Sequence, residues 1–178
     1  MMLNFEGAGF EVVPRLLKEI FIYPTDTIYG IGCNAENEKL VNKIRRIKRR
    51  DKRPFSVIAP SFEWILKNCE IDERFLKKYF PGPYTLILKK KHNKFLSHVS
   101  DTDYIGVRIP AHPFTKILQK TGKPIITTSV NFAGERHANN INGINKEILD
   151  NVDLVIDAGM LPGKPSTIIN GNEVIKRE

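Results

Sequence analysis

The sequence predicts an α/β (α+β) fold in which helices pack on a twisted, open, mixed sheet. Strand-like runs outnumber helical patterns, and the two kinds of segment do not strictly alternate along the chain. An apolar share of 41% can form a real core, and 178 residues is the length of one domain. We therefore expect residues 1–178 to form a single domain whose sheet is not strictly doubly wound.

Apolar residues at helical spacing predict four helices in the first half of the chain, interrupted by two short strands. Pro14 is acceptable only in the first turn of a helix, and Asn34 or Asn37 is a candidate cap for the second helix. The sequence "PGP" at residues 81–83 ends the last one. The predicted elements are helix 8–20, strand 20–24, helix 37–48, strand 55–59, helix 60–68 and helix 72–80.

The second half of the chain is mostly strands. Runs rich in β-branched and aromatic residues are separated by glycine- and proline-containing turns. One helical segment intervenes, and Gly122 closes it. The predicted elements are strands 84–90 and 104–110, helix 112–122, and strands 123–130, 153–159 and 166–170.

The cysteines and histidines predict neither a disulfide scaffold nor a structural zinc. Cys33 and Cys69 belong to no motif, so we expect both to be inert packing residues in a reducing compartment. The four histidines lack metal-ligand spacing. No apolar run is long enough to span a bilayer, and the N-terminus does not resemble a secretory signal. The expectation is a cytoplasmic protein without a membrane partner.

The net charge of +8 and the pI near 9.5 indicate anionic partners. Nucleic acid, a phosphorylated small molecule and a lysine-rich solubilising surface remain open. One basic cluster stands out, "KIRRIKRRDKRP" at residues 43–54, where the aliphatic side chains share one helix face and the basic ones project elsewhere. The run continues to Pro54, where a helix must stop. Guanidinium groups in a fixed loop suit bidentate phosphate contacts, which favours phosphate binding by some of residues 48–53.

Polar side chains accumulate where several predicted strands end. "FIYPTDTIYGIGCNA" at 21–35 and "GKPIITTSVNFAGE" at 122–135 both pass from an apolar run into hydroxyls, amides and glycines, and Ser166 opens another strand. Each segment alone could be a turn. Together they predict a polar rim at one edge of the sheet, where Gly30 and Gly32 let the backbone pass close to a ligand. Arg108 interrupts an apolar strand and needs an anionic partner or a wet cleft.

This pocket combines neutral hydrogen-bonding groups with a few arginines. The sequence shows no histidine-based or paired-carboxylate arrangement that could serve as an acid and a base. Catalysis would then rest on positioning and on electrostatic stabilisation of phosphate charge. That pattern is typical of phosphoryl or nucleotidyl transfer.

Four segments in order resemble the YrdC family: "PTDTIYGIG", "IKRRDKRPFSVI", "FPGPYTLIL…IGVRIPAHP" and "PIITTSVNFAGE…GKPSTII". The resemblance covers roughly residues 20–177 and implies a YrdC-like fold in its short, single-domain form. It implies a nucleotidyltransferase, threonylcarbamoyl-AMP synthase, which condenses L-threonine, bicarbonate or CO₂, and ATP, and releases pyrophosphate. The product would supply a separate transferase complex that modifies adenosine 37 of tRNA to t6A.

The resemblance also implies roles for individual positions. Lys48 and Arg50 match a K-x-R motif near the phosphates and would be catalytic. Threonine-binding positions are Thr27, Arg108, Ser129 and Ser166. ATP-binding positions are Arg50, Arg53, Thr85, Asn131 and Arg177. In "SVN", Val130 should point away from the ligand if its neighbours point toward it. No metal-ligating residue is implied; Mg²⁺ is expected with ATP, whose phosphates would supply most of its ligands.

Three alternatives stay open, of which the plainest is a family paralogue that keeps the fold but has lost or changed its amino-acid substrate. The basic surface could hold tRNA or double-stranded RNA without adenylate formation, although aromatic stacking motifs of the RNA-recognition type are missing from the sequence. A paralogue could instead use carbamoyl phosphate, as hydrogenase-maturation carbamoyltransferases with a YrdC-like domain do.

Overall fold

The computed structural model describes residues 1–50 and 52–177, and within them the chain forms a ten-stranded mixed sheet with helices on both faces. The strands are β1 Met2–Asn4, β2 Phe21–Tyr23, β3 Gly30–Gly32, β4 Ser56–Ile58, β5 Tyr84–Lys89, β6 Tyr104–Arg108, β7 Ile125–Ser129, β8 Leu154–Asp157, β9 Thr167–Asn170 and β10 Glu173–Ile175. The helices are α1 Val13–Leu16, α2 Glu38–Ile47, α3 Phe62–Asn68, α4 Glu73–Tyr79, α5 Phe114–Lys120 and α6 Lys146–Asp150.

The strand order is β1-β8-β2-β3-β7-β4-β6-β5-β9-β10. Four neighbouring pairs are parallel, namely β1/β8, β2/β8, β4/β6 and β5/β9, and the other pairs are antiparallel. This arrangement confirms the predicted mixed, open sheet. Among the described residues no helix has the length and apolar character to cross a bilayer.

Alternating side chains of the strands build a core on each face of the sheet. Ile22 of β2 belongs to the larger core, which also contains Ile44 of α2, Ile65 of α3 and Leu76 of α4. Its neighbours Phe21 and Tyr23 face the other way and pack with Leu16 of α1 and with Phe114 and Leu118 of α5. Both cysteines are free and buried, as expected for packing residues.

Helix α2 follows its predicted pattern closely. The Asn37 side chain accepts a hydrogen bond from the Leu40 backbone N–H at 3.2 Å, so Asn37, not Asn34, is the N-cap. Val41 and Ile44 are buried beneath the helix. The basic residues of the helix therefore project away from the core: Lys43 lies 4.0 Å from Asp153, and Arg45 donates to the Arg53 and His98 carbonyls.

The prediction of one helix over residues 8–20 is wrong. The chain there forms a 3₁₀ turn at Phe10–Val12 and then the single α-turn of α1, with Pro14 in its first turn. The helix ends early because the chain must become extended to enter the sheet. The Ile20 backbone N–H already donates to the Asp153 side chain at 2.9 Å, at the end of the segment that leads into β8.

Three strands and one helix were not predicted: β1, β3, β10 and α6. The "GIG" sequence of β3 has a weak strand pattern, because glycine is depleted in strands. Tertiary packing explains it: a Cβ at Gly32 would lie 2.2 Å from the Ile126 carbonyl oxygen and 3.0 Å from the Tyr23 ring. Gly32 therefore allows β2, β3 and β7 to pack closely, and its expected role beside a ligand is wrong.

A long crossover joins the two ends of the sheet. Residues 158–166 connect β8, second in the strand order, to β9, ninth in that order. We call this segment the strap. The strap crosses the six strands that lie between β8 and β9 in the sheet. It ends beside the cavity, where Pro165 and Ser166 form part of the wall.

Candidate active site

A polar cavity of about 250 Å³ lies at the middle of the sheet. Six neighbouring strands in the order β3-β7-β4-β6-β5-β9 contribute to its wall, β9 through the residue that precedes it. The residues that they supply are Gly30, Thr127, Thr128, Ser129, Ser56, Arg108, Thr85 and Ser166. The predicted polar rim is therefore one continuous wall, because the strand ends that carry the hydroxyls are neighbours in the sheet.

Arg108 is the charged group of this wall that is most deeply buried. Its Nη2 donates to Asp26 Oδ1 at 3.0 Å and to Thr27 Oγ1 at 3.2 Å, and the Arg108 and Asp26 side chains are 8% and 9% exposed. Burial lowers the pKa of the guanidinium, and Asp26 opposes that shift. Of the two predicted surroundings, an anionic partner or a wet cleft, the structure shows the anionic partner: it is Asp26, for which no role was predicted.

The hydroxyls of Thr25 and Thr27 have a defined donor direction. Thr25 Oγ1 donates its proton to the Ile28 carbonyl at 2.7 Å and accepts the Thr27 backbone N–H at 3.1 Å. The Thr27 hydroxyl, 2.9 Å away, must therefore donate to Thr25 while it accepts from Arg108. One acceptor lone pair of Thr27 is not used by these contacts, although the residue is 3% exposed and is not itself part of the cavity wall. The residue lies between Thr25 and Arg108, which both line the cavity.

Ser166 and Arg177 close the opposite side of the cavity. Arg177 Nη2 donates to Ser166 Oγ at 2.6 Å and Arg177 Nε donates to the Ser166 carbonyl at 2.8 Å. Ser166 Oγ also lies 2.7 Å from Thr85 Oγ1. Partial burial, and then repulsion from Arg108, lower the pKa of Arg177. Arg177, Ser166, Thr85 and Arg108 all line one cavity, which brings together positions that the family resemblance assigns to threonine binding and positions that it assigns to ATP binding.

Lys48 is buried and its ammonium contacts backbone carbonyls. It donates to the carbonyl oxygen of Ser129 and, at 2.6 Å, to that of Asn131, with a third, longer contact to Asn131 Oδ1 at 3.3 Å. Burial, and then the neighbouring Arg50, lower the pKa of Lys48 to about 7. The cavity wall does not include Lys48 among its described residues. Its ammonium therefore holds the turn after β7 in this structure and makes no contact with the cavity.

The turn that Lys48 holds contains the "SVN" sequence. Ser129 Oγ donates to Asn131 Oδ1 at 2.5 Å, and Asn131 Nδ2 donates to the Glu135 carbonyl at 2.6 Å. Ser129 lines the cavity, whereas Asn131 lies just outside its wall. Val130 is 2% exposed and belongs to the core, which confirms that it points away from the site.

The basic run after α2 divides into residues with different surroundings. Arg50 lines the cavity, donates to the Pro54 carbonyl at 2.8 Å and stacks on the Phe55 ring at 4.9 Å from its centroid. Arg49 points the other way, to Glu147 and to the Phe132 ring. Arg53 is exposed and lies beyond the wall. Arg50 is thus the residue of this run that the fold brings to the cavity, and Asp51 lies outside the described residues.

Tyr29 fixes the start of the strap. Its hydroxyl accepts the Ala158 backbone N–H at 2.8 Å and lies 2.9 Å from the Gly159 carbonyl, to which it donates. Burial raises the pKa of Tyr29 to about 12, so the hydroxyl keeps its proton. Further along, the Gly163 N–H donates to the Thr27 carbonyl at 3.0 Å. The strap is therefore tied directly to the "PTDT" loop.

Three residues of the site were missed by sequence reasoning: Asp26, Ser56 and His137. Ser56 and His137 line the cavity, and burial followed by repulsion from Arg177 lowers the pKa of His137. Ser56 sits in an ordinary strand pattern and His137 in a polar loop, so no local signal marks either residue. Asp26 could have been found from Arg108, because a buried arginine needs an anion near it.

The surroundings of the cavity do not fit a metal site built from protein ligands. In the described part of the chain no three His, Cys, Asp or Glu side chains are grouped to hold an ion, and the cavity wall there contains no carboxylate. Asp26, the nearby acid, is bound to Arg108 and to the Ala111 backbone N–H. The described residues of the cavity wall therefore offer Mg²⁺ no carboxylate ligand.

Comparison with known proteins finds one matching family and several similar proteins. The profile of the Sua5/YciO/YrdC family, described as telomere recombination, matches residues 17–178. A Methanocaldococcus jannaschii protein named "Putative threonylcarbamoyl-AMP synthase" is 41% identical over 156 residues, which cover 85% of this chain and 73% of that protein. The Pseudoalteromonas atlantica threonylcarbamoyl-AMP synthase is 31% identical over 169 residues, which cover 88% of each chain.

Among solved structures, P. abyssi Sua5 complexed with L-threonine superposes with a TM-score of 0.85 at 26% identity. The match covers 97% of this chain and 55% of that one. The chain described here therefore spans about half the length of that structural relative.

Proposed function

The chain belongs to the Sua5/YciO/YrdC family, as its motifs predicted, and on that premise we propose that it is a threonylcarbamoyl-AMP synthase. The enzyme would condense L-threonine, CO₂ or bicarbonate, and ATP to threonylcarbamoyl-AMP and pyrophosphate. The product would pass to a separate transferase complex that modifies adenosine 37 of tRNA. The names of the relatives support the reaction, and the cavity of this chain supports the substrate chemistry.

The observation that carries the proposal is the pairing of Arg108 with Thr27. Arg108 lines the cavity and donates to the Thr27 hydroxyl at 3.2 Å through Nη2, whose two N–H groups are both used on Asp26 and Thr27. A ligand carboxylate would therefore meet the Nη1 side of the guanidinium, while Thr27 Oγ1 keeps one acceptor site. The carboxylate and the ammonium group of an α-amino acid are separated by a single carbon, and they need a cationic donor and an acceptor respectively. We assign threonine to this end of the cavity, with Ser129 and Ser166 as further contacts.

We assign ATP to the remaining basic groups of the cavity wall. Arg50, Thr85 and Arg177 line the cavity and would contact the phosphates and the nucleoside. Arg53 and Asn131 lie beyond the wall and would meet only the parts of ATP that extend out of the cavity. In this assignment Arg50 offsets negative charge on the α-phosphate and on the leaving pyrophosphate. Lys48 acts indirectly, since its ammonium holds the Ser129–Asn131 turn.

The reaction needs two bond-forming steps in one enclosure. The neutral amine of threonine attacks the carbon of CO₂, and loss of a proton from nitrogen leaves a carbamate. A carbamate oxygen then attacks the α-phosphorus of ATP, and the bond from that phosphorus to the departing pyrophosphate oxygen breaks. Orientation of bound reactants can supply about 7–11 kcal/mol of such barriers. Because carbamates decompose in water, the enclosure by the strap and Arg177 matters as much as the positioning.

The proposal is tested by pyrophosphate release from ATP, with threonine and bicarbonate added singly and together. We expect release only when both are present, together with a product of the mass of threonylcarbamoyl-AMP. Serine and valine at equal concentration serve as controls for amino-acid selectivity. Release without threonine would contradict the proposal.

Two of the alternatives give different results in the same assay. A carbamoyl-phosphate-dependent paralogue would release pyrophosphate from ATP when carbamoyl phosphate replaces threonine and bicarbonate. An RNA-binding module would release none and would instead bind double-stranded RNA or tRNA with an affinity that falls steeply with salt. Either outcome would replace the synthase assignment.

A further inference from the structure

Among the described residues, Asp26 is the acidic side chain that forms an ion pair with the Arg108 guanidinium of the cavity wall. It belongs to the loop between β2 and β3, whereas Arg108 ends β6, four places from β2 in the strand order. Asp26 Oδ1 accepts from Arg108 Nη2 at 3.0 Å, and the other carboxylate oxygen, Oδ2, accepts the Ala111 backbone N–H at 2.9 Å. The carboxylate is therefore held by the same strand end that carries the arginine.

Both oxygens of Asp26 are needed for this geometry. Arg108 and Ala111 point at different oxygens of Asp26, and in asparagine one of these two positions carries an NH₂ group, so an amide in the same place would leave one of the two donors without an acceptor. That NH₂ group would face either the guanidinium or the Ala111 N–H, which are both donors. The carboxylate is thus matched to its two donors, and its negative charge balances a buried positive charge.

The pair also determines what Arg108 can offer to a ligand. Nη2 uses its two N–H groups on Asp26 and Thr27, and Nε is buried without a hydrogen-bond partner among the described residues. The plane of the guanidinium is therefore set before any substrate enters. Without Asp26, the side chain would lose the contact that fixes this plane and the negative charge that compensates its own buried positive charge.

From these contacts we propose that Asp26 is a positioning residue for the amino-acid substrate, acting through Arg108. It does not touch the substrate. It holds the guanidinium, and through it the Thr27 hydroxyl, in the arrangement that receives the carboxylate and the amine of an α-amino acid. The inference rests on the proposed function, in which Arg108 and Thr27 bind threonine, and it adds a residue that controls threonine affinity without controlling ATP affinity.

The test compares Asp26→Asn, Arg108→Gln and the double variant in steady-state pyrophosphate release. We expect Asp26→Asn to raise the KM for threonine about tenfold, within the range of coupling between contacting residues, and to leave the KM for ATP within about twofold. Because Asp26 acts through Arg108, the double variant should have the threonine KM of Arg108→Gln alone. Additive effects in the double variant, or equal changes in both KM values, would overturn the proposal.

Controls separate positioning from general stability. Glu19→Gln removes a partly buried ion pair with Arg15 on the other side of the molecule and should leave both KM values unchanged. If Asp26→Asn does not fold, Asp26→Glu keeps the charge but displaces the carboxylate by one methylene, and it should again raise the threonine KM alone. A normal threonine KM in Asp26→Glu together with an unfolded Asp26→Asn would show a merely structural role.

Threonine binding measured by calorimetry without ATP distinguishes this inference from the proposed function. If the wild-type chain binds threonine but releases no pyrophosphate, the synthase assignment fails, and weaker binding by Asp26→Asn would still support the role of Asp26. If pyrophosphate release depends on threonine and Asp26→Asn binds threonine normally, the synthase assignment stands and the inference about Asp26 is wrong.

Discussion

The ammonium of Lys48, at the C-terminal end of α2, lies 2.6 Å from the backbone carbonyl oxygen of Asn131 and also contacts that of Ser129. One buried side chain thus ties the helix that begins the basic run to the turn that follows β7. Lys48 itself is 2% exposed. The contact joins two of the sequence motifs that define the site, and it makes Lys48 a structural determinant of the cavity wall.

Replacement of Lys48 by methionine should lower the free energy of unfolding by about 2 kcal/mol, because two buried carbonyls would lose a charged donor. In thermal unfolding this corresponds to a decrease in Tm of about 4–8 °C for a chain of this size. Lys43→Met, on the same helix but half-exposed, is the matched control and should change Tm little. An unchanged Tm in Lys48→Met would show that the carbonyl contacts contribute nothing.

The pKa of Lys48 predicts how stability depends on pH. Lysine in the unfolded chain keeps its proton up to about pH 10.4, whereas burial and then Arg50 lower the pKa of Lys48 to about 7 in the fold. Between these values the unfolded state binds more protons, so the contribution of Lys48 to the free energy of unfolding rises with pH. Urea unfolding at pH 7, 8 and 9 should show a growing difference between wild type and Lys48→Met. A difference that stays constant would mean that Lys48 remains charged in the fold.

Arg50→Ala should reduce the kcat of pyrophosphate release about 100-fold, as removal of a single group that stabilises transition-state charge does. The fold should survive, because Arg50 sits in a loop and is not part of the buried core; its contacts include the Pro54 carbonyl and the face of the Phe55 ring. Arg46→Ala removes an exposed arginine of α2 and serves as the control. If Arg50→Ala unfolds, or if Arg46→Ala loses as much activity, the phosphate role of Arg50 is wrong.

Tyr29→Phe should loosen the strap without disturbing the sheet. The change removes the acceptor of the Ala158 N–H and the donor to the Gly159 carbonyl, and leaves two backbone groups unpaired. Loss of such hydrogen bonds costs about 1–3 kcal/mol. Hydrogen exchange should therefore become at least about tenfold faster at Ala158 and Leu161. Tyr104→Phe, at a side chain that is 47% exposed, should leave these rates unchanged. Equal protection in Tyr29→Phe and wild type would show that other contacts hold the strap.

Local patterns were enough for much of the fold. The β-branched runs of β5, β6, β7 and β8 and the amphipathic stripe of α2 follow from alternation and helical spacing, which need no knowledge of the neighbouring chain. The predictions that were wrong or missing concern segments whose secondary structure is set by contacts with distant parts of the chain and not by local sequence propensity. Helix 8–20 gives way to a strand that must reach β8, and the glycines of β3 form a strand because Tyr23 and β7 leave no room for side chains.

The candidate site also contains residues that the sequence indicates and residues that only the tertiary structure brings to the cavity. Hydroxyls at strand ends and a charged residue in an apolar strand are visible in the sequence, because turns and buried strands have little other use for them. Which of these residues share a wall depends on the strand order, and the order places β3, β7, β4, β6 and β5 side by side. His137 carries no local signal at all, so only its position in space brings it to the cavity.

By itself, the sequence determined the family, the mixed sheet and the set of polar residues from which the pocket is built, since these depend on local chemistry and on motif order. Only the tertiary structure decided how the charges are used. Arg108 is paired with Asp26, Arg50 faces the cavity, and Lys48 donates to backbone carbonyl oxygens of the turn after β7. A long basic side chain can reach several partners from one backbone position, so its partner is decided by which elements the fold brings within its reach.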